Sequence, residues 1–185
     1  MIVFLLTMLL TNHSYSAELE GFKFPDEIKI ESEKLILNGL AVRKATIFNI
    51  KILVAGLYLT TKSNGQDLII NSTSTKVIQI RFMKSLSSEK ISNMWSEQLL
   101  KRCLKDCIAL KEQATLLGKL MIDIKSGDSL NFTFFEDHVK VLLSNNNSGK
   151  IQGKTLPKAL LSLWIGEKPL DENLKNGLLG ITYKQ

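Results

Sequence analysis

Residues 37–59 read LNGLAVRKATIFNIKILVAGLYL. Apolar and β-branched residues fill the stretch on both sides of a short polar insertion, the pattern of strands with buried faces. Asn38-Gly39 between apolar stretches is a hairpin-turn signal. ATIFNIKILVAGLYL, residues 45–59, reads as a long strand. One residue breaks the apolar texture. Arg43 has Ala41 and Ala45 two positions away, so in a strand it shares their face, and such small neighbours leave room above it. A buried guanidinium needs an acidic partner or an anionic ligand. The other reading is an Arg on the wet face of a sheet, and the pattern alone leaves both open.

Outward from this stretch the strand signals continue. IKI (28–30), KLIL (34–37) and KVIQIRFM (76–83) are strand-like, and Asn64-Gly65 marks a break. From Ser87 the period changes. Ile91, Trp95, Leu99 and Cys103 form an i, i+4 stripe with Met94 beside it, which predicts a helix capped by Ser88. A second helix is expected over about 105–122, ended by Ser126-Gly127-Asp128. LNFTFF (130–135) and VKVLL (139–143) predict two strands joined at Glu136-Asp137. Asn145 to Gly149 is a turn, and KIQG (150–153) a third short strand. Helices follow at LPKALLSLWIG (156–166) and from Asp171, a cap, to Leu179. Strands, helices, strands and helices in that order predict an α+β fold. It consists of an antiparallel sheet with helices grouped on one face.

The chain has 185 residues, 44% of them hydrophobic and 23% charged. That suits one domain able to bury a core without staples, and excludes disorder and disulfide-dense scaffolds. Lys and Arg number 24 against 18 Asp and Glu. The basic residues are interspersed with acids and no aromatic-basic platform appears, so nucleic acid is not an expected partner. Phosphate-binding glycine motifs, H-E-x-x-H, G-x-S-x-G and C-x-x-C are absent. Asp128, Glu136 and Asp137 read as turn residues. Neither a cofactor nor a metal is expected, since His13 and His138 are the only histidines.

Ile2 to Leu10 (IVFLLTMLL) is too short to span a bilayer and fits the apolar region of a secretory signal, although no Lys or Arg precedes it. Ser14 and Ser16 before Ala17 suit cleavage. The expected organisation is therefore a signal peptide over 1–16, a mature domain over 17–185, and a periplasmic or secreted location without stable membrane insertion. A buried first strand or helix is the competing reading. Cys103 and Cys107 lie four apart. A regular helix holds such side chains too far apart for good disulfide geometry unless it frays. Two small core residues or an exported disulfide are the readings. A nucleophilic Cys would have to use His138.

NGLAVR (38–43), VAGLYL (54–59), the SSEKI helix start (87–91) and ALLSLWIGEKPLDENLKNGLLG (159–180) together resemble the chalcone isomerase-like family, most closely its exported bacterial members. The resemblance spans about residues 22–181. It implies an open-faced β-sandwich, a curved antiparallel sheet covered by a layer of helices. It also implies that Arg43 stands where the plant enzymes bind the ligand oxyanion, and where fatty-acid-binding relatives hold a carboxylate. Leu53, Ser87 and Met94 stand where the enzymes carry Thr, Tyr and Asn. Most catalytic positions are thus replaced. The expected function is binding of a small apolar carboxylate or phenolic ligand, such as a fatty acid, by a non-catalytic domain. The expected site residues are Arg43, Leu53, Tyr58, Met94 and Trp95. For Met94 and Trp95, ordinary core packing competes with ligand contact. The alternative function is an isomerase, an intramolecular lyase, with Arg43 as its catalytic residue. A structural or partner-binding domain with a filled core is a third.

Overall fold

The computed structural model describes residues 16–45, 49–101, 103 and 106–181. The apolar run Ile2–Leu10, residues 46–48 of the expected 45–59 strand, and residues 102 and 104–105 lie outside the described residues.

A two-stranded hairpin, β1 (Ser16–Leu19) and β2 (Phe22–Pro25), precedes a seven-stranded sheet. The sheet strands are β3 (Glu27–Ile30), β4 (Glu33–Ala45), β5 (Ile50–Leu59), β6 (Lys76–Phe82), β7 (Ser129–Phe134), β8 (His138–Leu143) and β9 (Ser148–Gln152). They pair antiparallel in chain order, so each strand neighbours its successor. Helices interrupt the meander in two places and follow its last strand. α1 (Gln66–Asn71) follows β5. α2 (Ser88–Lys101) and α3 (Cys107–Leu120) follow β6. α4 (Thr155–Ile165) and α5 (Glu172–Leu178) follow β9. The sheet is a curled half-barrel with helices against it, the expected α+β architecture.

Strand alternation divides the core in two. Ala41, Leu53, Ala55, Leu57, Ile78 and Ile80 face the helices and pack with Trp95, Leu117, Leu160 and Trp164. Leu35, Leu37, Val54, Tyr58 and Val77 point the other way and pack with Phe24 of β2. The hairpin β1–β2 therefore covers part of the face that the sequence reading left open.

Asn38-Gly39 is not a hairpin turn. Both residues lie inside β4, at a register shift between Leu37 and Gly39. Gly39 has no positive φ, which a two-residue hairpin turn of this type requires. The pair instead docks the C-terminal helix. Asn38 Nδ2 donates to the carbonyls of Ser63 (3.0 Å) and Leu178 (2.8 Å), and its Oδ1 accepts from Ser63 N–H (2.8 Å). A Cβ on Gly39 would come within 2.1 Å of the Gly177 carbonyl oxygen. α5 thus rests backbone to backbone on β4, and this fixes the strand that carries Arg43.

Helix α2 buries Ile91, Trp95 and Leu99 as its stripe predicts, but ends at Lys101. Ser87, not Ser88, is its cap: Lys90 N–H donates to Ser87 Oγ at 3.3 Å. Asp123 accepts from both Ser88 N–H and Ser88 Oγ, at 2.8 and 2.9 Å. Cys103 lies beyond α2, and Cys107 opens α3. With the helix interrupted between them, the two sulfurs form a disulfide. The core-residue reading of the cysteines is replaced, and neither is a free nucleophile for His138. Asp171 caps α5 as expected, accepting from Leu174 N–H at 2.9 Å.

Candidate functional site

Arg43 stands on the helix-facing side of β4, directly opposite Leu53 on β5, which in turn is opposite Phe82 on β6. A register irregularity follows Arg43 immediately. Its side chain is half-buried. Among the described residues no carboxylate lies within ion-pairing distance of the guanidinium, and its one side-chain hydrogen bond runs from Nη1 to Met94 Sδ at 4.0 Å. Burial pushes the guanidinium below its usual range, while the field of Asp171 opposes that. Arg remains charged even so.

Beneath the guanidinium lies an apolar cavity of about 20 Å³. Arg43, Leu53, Met94 and Trp95, four of the residues expected at the site, border it together. Tyr58 does not. It is five residues from Leu53, and an odd spacing in a regular strand puts two side chains on opposite faces. Tyr58 belongs to the cluster under the β1–β2 hairpin, fully buried, with an unpaired hydroxyl. Burial, then the charge of Asp26, pushes its phenol well up. It packs the far layer and does not reach the Arg43 cavity.

Other lining residues escaped the sequence reading. Ile52, Ile80, Phe82, Leu86, Ile91, Trp164 and Leu170 complete the wall. Phe82 was within reach, because it is the strand partner of Leu53. Trp164 was not, because nothing in its helix pattern says that it meets Trp95, with ring centroids 5.9 Å apart. Trp95 also stacks edge-on against Phe132 at 5.5 Å. Neither indole Nε1–H has a hydrogen-bond partner, although both tryptophans are at least 98% buried. These are the only tryptophans in the chain, and both border this one cavity.

Arg43 is the one charged side chain at the cavity wall, which is otherwise apolar. Apart from Arg43, no lining residue is a titratable acid or base. Such a wall presents one cation and offers no side chain able to take up a proton. Among the described residues no group of three or more His, Cys, Asp or Glu side chains is placed to hold a metal ion. No helix among the described residues is long and apolar enough to cross a membrane.

A curled antiparallel sheet with a helical layer on one face defines an open-faced β-sandwich, with the Arg43 guanidinium on its helix-facing side. The profile of the chalcone isomerase-like family matches residues 16–180, and the chain belongs to that family. No curated protein matches the sequence. Among solved structures, the crystal structure of a fatty-acid binding protein of Arabidopsis thaliana superposes with a TM-score of 0.73 at 21% identity. The match covers 89% of this chain and 96% of the plant chain. At that identity the likeness establishes the fold.

Proposed function

We propose that this is an exported, non-catalytic domain that binds a small apolar anion, a carboxylate such as a fatty acid, through Arg43. The observation that carries the reading is the half-buried Arg43 guanidinium without a carboxylate partner, at the wall of an otherwise apolar cavity. A buried cation without a counter-ion is costly, and an anionic ligand supplies one. The plant structural relative is a fatty-acid binding protein, which supports the ligand class. The Cys103–Cys107 disulfide supports export, because disulfides persist in oxidising compartments.

Volume sets a condition. About 20 Å³ holds one oxygen or one water, for which ~10–15 Å³ is enough, and not an acyl chain. A tail enters only if Met94 yields, and an unbranched thioether is suited to that. The same volume favours a second reading, a structural or partner-binding domain with a filled core. The isomerase alternative would use Arg43 as an electrophilic stabiliser. Chalcone consumption followed by absorbance tests it, and a rate equal to the uncatalysed one counts against it.

The deciding experiment is extraction of the purified protein and identification of bound lipids by mass spectrometry, repeated with Arg43→Ala. Fatty acid in the wild type and a smaller amount per mole of protein in the variant is the expected result. An empty wild type, with fatty-acid affinity unchanged by the substitution, overturns the proposal in favour of the filled core.

A further inference from the structure

A second cavity lies at the opposite end of the same sheet face. It measures about 520 Å³, against about 20 Å³ at Arg43. Lys76 borders it from β6, six residues before Phe82, or ~20 Å along the strand. The floor is apolar: Leu110, Phe134, Pro157 and Leu161 line it. A volume of this size accommodates a medium-chain amphiphile without rearrangement of the fold.

The charges in this cleft are out of balance. Lys76 is only 5% exposed. Its ammonium donates to the Ser72 and Ser74 carbonyls, at 2.8 and 2.7 Å. An ammonium has three donors, so one remains. Lys158, on the first turns of α4, borders the same cleft and reaches only Asn71 Oδ1, at 3.2 Å. Among the described residues neither lysine has a carboxylate within ion-pairing distance. The acids of the cleft, Asp106 and Glu136, sit exposed at its rim, and Glu136 faces Lys154 at 3.6 Å. Burial first, and then repulsion from Lys158, hold the Lys76 ammonium down to about 8. Two like charges beside an apolar cleft, one of them buried, form a site that an anion relieves.

We propose that this cleft is a second binding site, separate from the Arg43 cavity, for a carboxylate amphiphile. Its head group lies at Lys76 and Lys158 and its chain on Phe134, Pro157 and Leu161. The site does not depend on the reading of Arg43.

Calorimetric titration of decanoate, with decanol as the uncharged control, tests it. The proteins are the wild type, Arg43→Ala, Lys158→Glu and Lys76→Met. Lys158 is exposed and its variant leaves the core intact, so the test survives if Lys76→Met fails to fold. The expected result is a decanoate binding event that persists in Arg43→Ala and weakens at least tenfold in Lys158→Glu, with decanol binding more weakly than decanoate. Loss of all binding in Arg43→Ala overturns the second site. So does unchanged binding in Lys158→Glu, or a wild type that binds no decanoate.

Discussion

The Arg43 guanidinium reaches across from β4 to helix α2 and finds the sulfur of Met94, 4.0 Å from Nη1. A thioether is a weak acceptor. The contact therefore leaves the charge of Arg43 largely uncompensated, and it makes Met94 the cover of the cavity. The first two predictions follow from that relationship.

Arg43→Met is expected to separate stability from binding. An uncompensated half-buried charge contributes little to folding, so chemical denaturation should show stability unchanged or raised by about 1 kcal/mol. Decanoate affinity at the Arg43 cavity should fall at least tenfold. A loss of several kcal/mol in stability would show that the guanidinium is structurally required.

Met94→Ala should open the cavity. A half-buried Met truncated to Ala costs about 1–2 kcal/mol, at or below the low end for core truncations. In return the variant should take longer fatty acids, and more tightly, than the wild type. The two tryptophans both border the cavity, so their intrinsic fluorescence should report the titration directly. Identical chain-length dependence in both proteins would remove Met94 from the role of cover.

Gly39→Ala should damage the fold from a distance. The new Cβ would meet the Gly177 carbonyl oxygen at 2.1 Å, with Leu178 O and Gly180 N also inside 3.0 Å. All three are backbone atoms and cannot swing aside. Urea unfolding should show a loss above ~3 kcal/mol, the range of severe steric substitutions. Faster amide exchange in α5 is the local signature.

Lys76 gives a pH dependence of known sign. Its folded value, about 8, lies below the ordinary lysine value of ~10.4. Between these values the unfolded chain binds more protons than the folded one. The Lys76 contribution to stability therefore rises with pH across that window, and below pH 8 the full penalty of the buried charge applies. The stability difference between wild type and Lys76→Met, measured by urea unfolding from pH 7 to 10.5, should move in favour of the wild type as pH rises. A flat difference would mean that the ammonium titrates normally.

Reduction of Cys103–Cys107 should cost little. The bridge closes a loop of only five residues, worth about 2 kcal/mol on the chain-entropy model. For a domain of this size that is a Tm decrease of about 4–8 °C, measured by calorimetry with and without reductant.

The order of elements was legible in the sequence because it depends on local periods. Alternation marked β6, β7 and β8, and the Ile91, Trp95, Leu99 stripe marked α2. The Asp171 cap was legible because a cap is a local hydrogen bond. Arg43 stood out because its apolar surroundings are contiguous in the chain. Leu53 and Met94 came from resemblance and also border the cavity, and Tyr58, taken from the same strand, could have been excluded by its odd spacing from Leu53.

What the sequence determined by itself, then, is which segments alternate, which coil, and which charge has no local reason to be buried. Tertiary structure decided the rest. Asn38-Gly39 carries the same local signal whether it turns a hairpin or bulges inside a strand, and only the close approach of α5, about 140 residues on, selects the bulge. The meeting of Trp95 with Trp164 depends on how two helices lie on one sheet. So does the difference between about 20 Å³ at Arg43 and about 520 Å³ at Lys76. Cavity volume is what remains after distant side chains have packed, and no local period encodes it.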